Sequence, residues 1–375
     1  MRHYSMLALL GFVIVIGASL LVVPSDSHAD MWCAQSLIVH EWGVHVFSGE
    51  ESSRQTNPVP ALPRYLHHHT SQPVDPLLPA VNALPADNGV RGLPVVHFYG
   101  SVGAQPIPVG VGVRFAHGAP TLWYPQVDRS IGAGAPPQLE WTHLDLTRAP
   151  AHTLAQTDVP WVSALRGFDD ALWVNSSVES ERFVFYEGQT TETQAVQISR
   201  GDTYAANRHH YILRNTSSFT VHDVFFVHRG ERRTYVFYAP AIPPNRSAGF
   251  VMEAHPLVER ERGASTAGRL LSALTDISER DAAAALQRNA ECVMSRNPAT
   301  PFTHASGHKL FAPEANALIS AWRTRFFEAQ GTTIVYREDA ELLDAEMPLS
   351  IYTDMFHDVQ LHRAGIALIE NVSLP

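Results

Sequence analysis

Apolar and polar positions alternate with a period of two through much of the chain. The clearest run is the first, Leu37-Ile-Val-His-Glu-Trp-Gly-Val-His-Val-Phe-Ser-Gly49. In an extended chain Leu37, Val39, Glu41, Gly43 and His45 point one way, and Ile38, His40, Trp42, Val44 and Val46 the other. The pattern predicts a strand from His40 to Phe47. One face is mostly apolar and carries His40 and Trp42. On the other, Glu41 and His45 flank Gly43, where no side chain of this strand blocks approach.

From Pro94 onward the same alternation returns in short pieces, with Gly, Pro, Asn or Asp between many of them. Strands are expected at Pro94–Tyr99, Val109–Phe115, Thr121–Tyr124, Leu139–Leu146, Arg182–Tyr186, Ala195–Ser199, Tyr211–Asn215, Thr220–Arg229, Arg232–Tyr238 and Gly249–Glu253. In Thr220–Arg229, strict alternation puts His222, Val224, Phe226 and His228 on one face, and Val221, Asp223, Phe225 and Val227 on the other. Apolar residues on both faces place that strand inside a sandwich. Regular short strands with turn signals predict a mainly β fold, a β-sandwich or open barrel-like sheets. Residues 50–92 carry seven prolines from Pro58 to Pro85 and read as a long loop.

The pattern changes after Leu257. Ser278-Glu-Arg-Asp281 has the form of a capping box and opens a predicted helix to about Ser295. A second helix is expected from Pro313, with the stripe Ala315, Leu318, Ile319, Trp322 and Phe326, ended by Gly331. Strands at Thr332–Tyr336, Leu349–Tyr352 and Leu361–Glu370 follow. This predicts a β-rich domain over 30–257 and an α+β part over 258–375, containing two helices and packed on it.

The chain is 375 residues long and begins differently from the rest. A short basic start, the apolar run Met6–Val23 and the small-x-small site Ser27-His-Ala29 predict a signal peptide over 1–29 and export to the periplasm or beyond. An uncleaved N-terminal anchor is the alternative, and no later run has membrane length. In an oxidising compartment Cys33 and Cys292 are candidates for a disulfide, which would contribute up to about 5 kcal/mol in the loop-entropy model. Net charge is −10 with His neutral, and Lys309 is the single lysine among 27 basic residues. No basic stripe marks a nucleic-acid partner.

Complete catalytic signatures are missing from the sequence. There is no Gly-x-Ser-x-Gly elbow, no Walker A or dinucleotide glycine fingerprint and no His-Glu-x-x-His. Gly263-Ala-Ser-Thr-Ala-Gly268 only resembles an elbow and reads as a loop. Gly110-Val-Gly112 reads as close packing or a bulge within a strand. What remains is histidine and aromatic chemistry. His40 and His45 are candidate ligands for a divalent metal such as zinc, with Glu41 as a further ligand or the general base for a bound water. Trp42, Trp123 and Tyr124 are candidate ligand-binding rings, since flat rings stack on sugars.

The order His40-Glu-Trp-Gly43, Pro94-Val-Val-His-Phe-Tyr99, Leu122-Trp-Tyr-Pro125, Leu139-Glu-Trp141, Glu181-Arg-Phe-Val-Phe-Tyr186, Ala321-Trp-Arg-Thr-Arg-Phe-Phe327 and Pro348-Leu-Ser-Ile351 spans most of the mature chain. It resembles a family of exported bacterial proteins marked by a His-Glu-Trp-Gly-Thr-Phe opening. The resemblance implies a common architecture and lends no activity. Here Val44-His45 replaces Thr-Phe, and Leu361-His-Arg-Ala-Gly-Ile-Ala-Leu368 stands for the family's closing arginine-containing strand. Two functions are expected: binding of an envelope or extracellular glycan or protein, and, as the alternative, metal-assisted hydrolysis through His40, Glu41 and His45.

Overall fold

The computed structural model describes residues 36–48, 60–68, 89–102, 105–131, 137–202, 209–231, 233–252, 259–275, 301–353 and 358–375. The expected signal peptide, Cys33, Cys292, the helix from Ser278 and most of the Pro-rich stretch lie outside these residues. Within them the fold is mainly β with four α-helices.

In chain order the first strands are β1 (Ser36–Ser48), β2 (His67–His68), β3 (Gly89–Gly100), β4 (Ile107–Arg114), β5 (Gly118–Tyr124), β6 (Arg129–Ile131) and β7 (Gln138–Thr147). Helix α1 (Pro160–Arg166) precedes β8 (Trp173–Asn175), β9 (Ser180–Glu181), β10 (Val184–Thr190), β11 (Val196–Arg200), β12 (His209–Asn215), β13 (Val221–Arg229), β14 (Thr234–Ile242) and β15 (Ser247–Met252). Helices α2 (Glu259–Leu274) and α3 (Ala312–Arg323) follow. A π-helical turn over Thr324–Glu328 then leads to β16 (Gly331–Arg337), α4 (Ala340–Glu346), β17 (Leu349–Tyr352) and β18 (Asp358–Glu370).

Nine strands form the main sheet in the order β14-β13-β16-β18-β1-β3-β10-β5-β2. A six-stranded sheet runs β17-β4-β7-β8-β9 with β6 on β7, and a three-stranded sheet runs β11-β12-β15. The centre of the main sheet joins opposite ends of the chain: β1 pairs parallel with β18 over its whole length, from Ser36↔Asp358 to Ser48↔Glu370. The boundary expected at 257/258 therefore does not separate two sheets. Strands β16 and β18 lie inside the main sheet, and β17 is the edge of the six-stranded one.

Helices cover one face of the main sheet, where Trp42, Val44, Val95, Ile366 and Leu368 pack against α2 and α3 through Leu270, Leu274, Leu318 and Trp322. The opposite face meets the two smaller sheets at different ends. Leu37, Val39 and Leu361 pack against β4 and β7 through Val109, Val111, Leu139 and Trp141. Phe47 and Ile369 pack with Val196, Leu213 and Phe226. A strand buried on both faces carries apolar residues in both registers, as β1 does.

Two local expectations change. Gly263–Gly268 lies within α2 and is not a loop. In β13, Asp223 has a positive φ of 50° and the ladder with β16 shifts register between His222 and Phe225. The bulge reverses the alternation, so Val221 joins Val224 and Phe226 in one cluster while Phe225 and Val227 face the helices.

Candidate functional site

Glu41 and His45 of β1 sit where the two cores on its sheet-facing side meet. Leu37 and Val39 belong to one cluster and Phe47 to the other. Between them run Glu41, Gly43 and His45, beside Arg363, Gly365 and Ala367 of β18. This seam is closed above Gly43. A Cβ there would stand 3.0 Å from the Cα of Pro94, so proline fills the approach that the sequence pattern leaves open.

Glu41 is 4 % exposed and Arg363 fully buried. The Arg363 Nε–H donates to Glu41 Oε2, and the Tyr186 hydroxyl donates to Oε1. Arg363 also donates from Nη1 to Asp344 Oδ1 at 2.9 Å and from Nη2 to the Met347 carbonyl at 2.8 Å. Burial would lower the guanidinium pKa, but Glu41, Tyr186 and Asp344 reverse this and hold it above its ordinary value. The parallel pairing of β1 with β18 brings Arg363 into register with Glu41. The Glu41 carboxylate is committed to this network.

His40 lies on the other face, so it does not converge with Glu41 or His45. Its Nδ1–H donates to Glu314 Oε2 of α3 at 2.6 Å, and both side chains are buried. Glu314 also accepts the Phe311 N–H at 2.9 Å, the reach-back half of a helix cap. Burial alone would raise the Glu314 carboxyl pKa, but His40, His97 and the Phe311 amide hold it below its usual value. In the ladders, His97 of β3 and His362 of β18 flank His40 at the same register. His97 donates from Nδ1 to the Arg182 carbonyl at 3.2 Å, and its ring sits among Trp42, Phe168 and Phe183. Burial among these rings lowers its pKa to about 4.

His45 has different company from that expected. Its Nδ1 lies 3.2 Å from Glu338 Oε1, just after β16, and 3.4 Å from Glu192 Oε2, just after β10. His45 and Glu338 are buried, and Glu192 is 14 % exposed at the rim. Sequence reading missed both glutamates, as well as Glu314 and Arg363. Each lies far along the chain from β1, and only the strand register brings them together.

Trp42 and Trp123 are core residues at 1 % and 3 % exposure and present no stacking face. Tyr124, equally buried, stacks on His67 with ring centroids 5.8 Å apart and planes 6° apart, while His67 Nε2 meets Glu179 Oε1 at 2.7 Å. Among the described residues, the exposed large aromatic is instead Tyr352 of β17, at 44 %. It is the cross-strand partner of Gly110, and its ring atoms lie 3.5 and 3.6 Å from where Cβ atoms would sit on Gly110 and Gly112. With Val109, Val111 and Val113 turned to the core, these glycines face outward. Two hollows open beside the ring. One, of about 390 Å³, is lined by Pro108, Gly110, Glu140, Thr142 and Tyr352. The other, of about 430 Å³, is lined by Arg114, Gln138, His304, Asp344, Ser350 and Tyr352.

No family model matches the chain, and no curated protein matches it. Among solved structures, the yeast delta-COP-I mu-homology domain complexed with a Dsl1 WxWxV peptide aligns with 89 % of this chain and 95 % of its own, at 8 % identity and a TM-score of 0.27. A score that low does not amount to a shared fold. No helix among the described residues is long and apolar enough to cross a membrane.

Proposed function

We propose that this chain is an exported glycan-binding protein whose binding face is the outer side of the six-stranded sheet. The carrying observation is Tyr352. It is a large exposed ring laid over the glycine stripe of β4, with a hollow of mixed polar and apolar lining on either side. An exposed ring offers a flat apolar face to a sugar, while Gln138, Glu140, Thr142 and Ser350 offer donors and acceptors for hydroxyls. Gly110 and Gly112 let a ligand approach the sheet backbone closely. Two hollows in line suit several linked sugar units better than one small molecule. Export rests on the N-terminal basic, apolar and small-x-small segments.

The test is retention on immobilised cell-wall and extracellular polysaccharides, followed by calorimetry with soluble fragments of any that bind. Tyr352→Ala is expected to weaken binding about tenfold, or about 1.4 kcal/mol, without lowering the melting temperature. Absence of retention on every polysaccharide, or binding indifferent to Tyr352→Ala, rejects the reading. Retention only on envelope proteins assigns the surface to a protein partner instead.

A further inference from the structure

The His45 cluster has the dimensions of a metal site. Where an imidazole of this chain is hydrogen-bonded to one carboxylate in the core, as His40 is to Glu314, the separation is 2.6 Å. His67 and Glu179 stand at 2.7 Å, and His222 and Asp339 at 3.1 Å. His45 Nδ1 is farther from both of its carboxylates, at 3.2 Å from Glu338 and 3.4 Å from Glu192, and the ligand atoms of all three residues lie within 4.8 Å of one another. The two His45 separations are close to the edge of a coordination tetrahedron. Zinc bonds of about 2.0–2.2 Å to nitrogen and oxygen, set at tetrahedral angles, hold ligand atoms about 3.3–3.6 Å apart.

We propose that His45 Nδ1, Glu338 and Glu192 bind a divalent cation of the zinc class, with a fourth position open to water or ligand. Two carboxylates and one imidazole offer two anionic donors and one neutral donor to a dication. Nitrogen with carboxylate oxygen is a donor set for zinc or manganese, and poor for a soft ion such as Cu(I). The backbone makes room for it. A Cβ on Gly365 would come 2.6 Å from Glu338 Oε2, so glycine at this point of β18 lets that carboxylate lie against the sheet. Glu192 at the rim gives an ion its way in. The three ligands come from β1 and from the segments that follow β10 and β16, so the ion would tie together distant parts of the main sheet. This site is separate from the Tyr352 groove and stands or falls independently of it.

The experiment uses the full mature chain without an affinity tag, with His67, His68 and His69 changed to Ala so that the histidine run takes up no zinc. The protein is stripped with chelator, equilibrated with Zn²⁺, passed over a desalting column and assayed for metal. About one equivalent is expected, with a zinc-dependent rise in melting temperature. Cobalt substitution is expected to give the intense visible bands of a tetrahedral site. Glu192→Gln, at the rim, is expected to fold and to weaken zinc binding at least tenfold; Glu338→Gln is expected to abolish it. If Glu338→Gln does not fold, Glu192→Gln decides. No retained zinc in the parent protein, or unchanged affinity in folded Glu192→Gln, overturns the proposal.

Discussion

At the scale of single residues, a few buried charges are costly to disturb. Glu41 and Arg363 are both out of water; removing Arg363 leaves the buried Glu41 with only the Tyr186 hydroxyl, and removing Glu41 leaves the buried Arg363 with Asp344 and a carbonyl. Arg363→Met is predicted to cost about 3–5 kcal/mol, and Glu41→Leu a similar amount. The double variant is predicted to cost less than the sum by more than 1 kcal/mol, because neither charge then remains. Urea midpoints of the four proteins measure this, and simple additivity would refute it. His97 gives a pH dependence of known sign. Its folded pKa, about 4, lies below the ordinary 6.5, so between these values the unfolded chain binds a proton that the folded chain refuses. Its contribution is complete above pH 6.5 and is lost as pH falls toward 4, about 3 kcal/mol for a shift of this size. Glu314, held below its usual pKa, acts in the same direction but only below about pH 4.3, where the unfolded carboxyl begins to titrate. Unfolding free energies at pH 7.5, 5.5 and 4.5 should fall steadily in the parent and more shallowly in His97→Leu. Equal slopes would remove His97 from the account.

At the scale of elements, β1 is constrained on every side: strands on both edges, helices on one face and two sheets on the other. Gly43 shows how tightly. Its Cβ position lies 3.0 Å from a backbone atom of Pro94, so Gly43→Ala must displace β3 and is predicted to destabilise by about 1–3 kcal/mol. An unchanged melting temperature would show that β3 yields freely. The same strand marks what was legible in the sequence. Its extended form and the sorting of its side chains between two faces follow from period-two alternation, and β17 falls where alternation predicts. Its partners do not follow, because register is a long-range property. Glu41 meets Arg363 through the β1–β18 ladder, and His45 meets Glu338 through that ladder and the β16–β18 one, across some three hundred residues of chain in each case. Reading Glu41 with its nearest histidines therefore grouped side chains that point to opposite faces. Strict alternation also failed at Asp223, where one left-handed residue exchanges the faces of β13. The exposed aromatic was missed for a related reason. Tyr352 resembles any strand tyrosine until its cross-strand partner is known to be Gly110.

At the scale of the whole molecule, the first and last described strands pair at the centre of the largest sheet. Chain composition suggested a β-rich domain ending near residue 257, with a mixed part packed against it. The topology makes the two inseparable. A chain ending at residue 257 would leave β1 without its parallel neighbour β18, and β13 without β16. The exposed edges would present unpaired N–H and C=O groups beside uncovered apolar faces. Residues 30–257 alone are therefore predicted not to fold, showing no cooperative thermal transition and little near-ultraviolet dichroism. Residues 30–353, which retain every described element but β18, are predicted to fail as well. A cooperative transition in either fragment would show that the central pairing is dispensable. The same topology bears on kinetics. The pair at the centre of the sheet closes a loop of nearly the whole chain, and long loops must close before their contacts return any stabilisation. Refolding is thus expected to be slow, with hydrogen exchange protecting the β13–β14 hairpin before β1. Protection of β1 ahead of that hairpin would mean that the central pair nucleates the sheet rather than completing it.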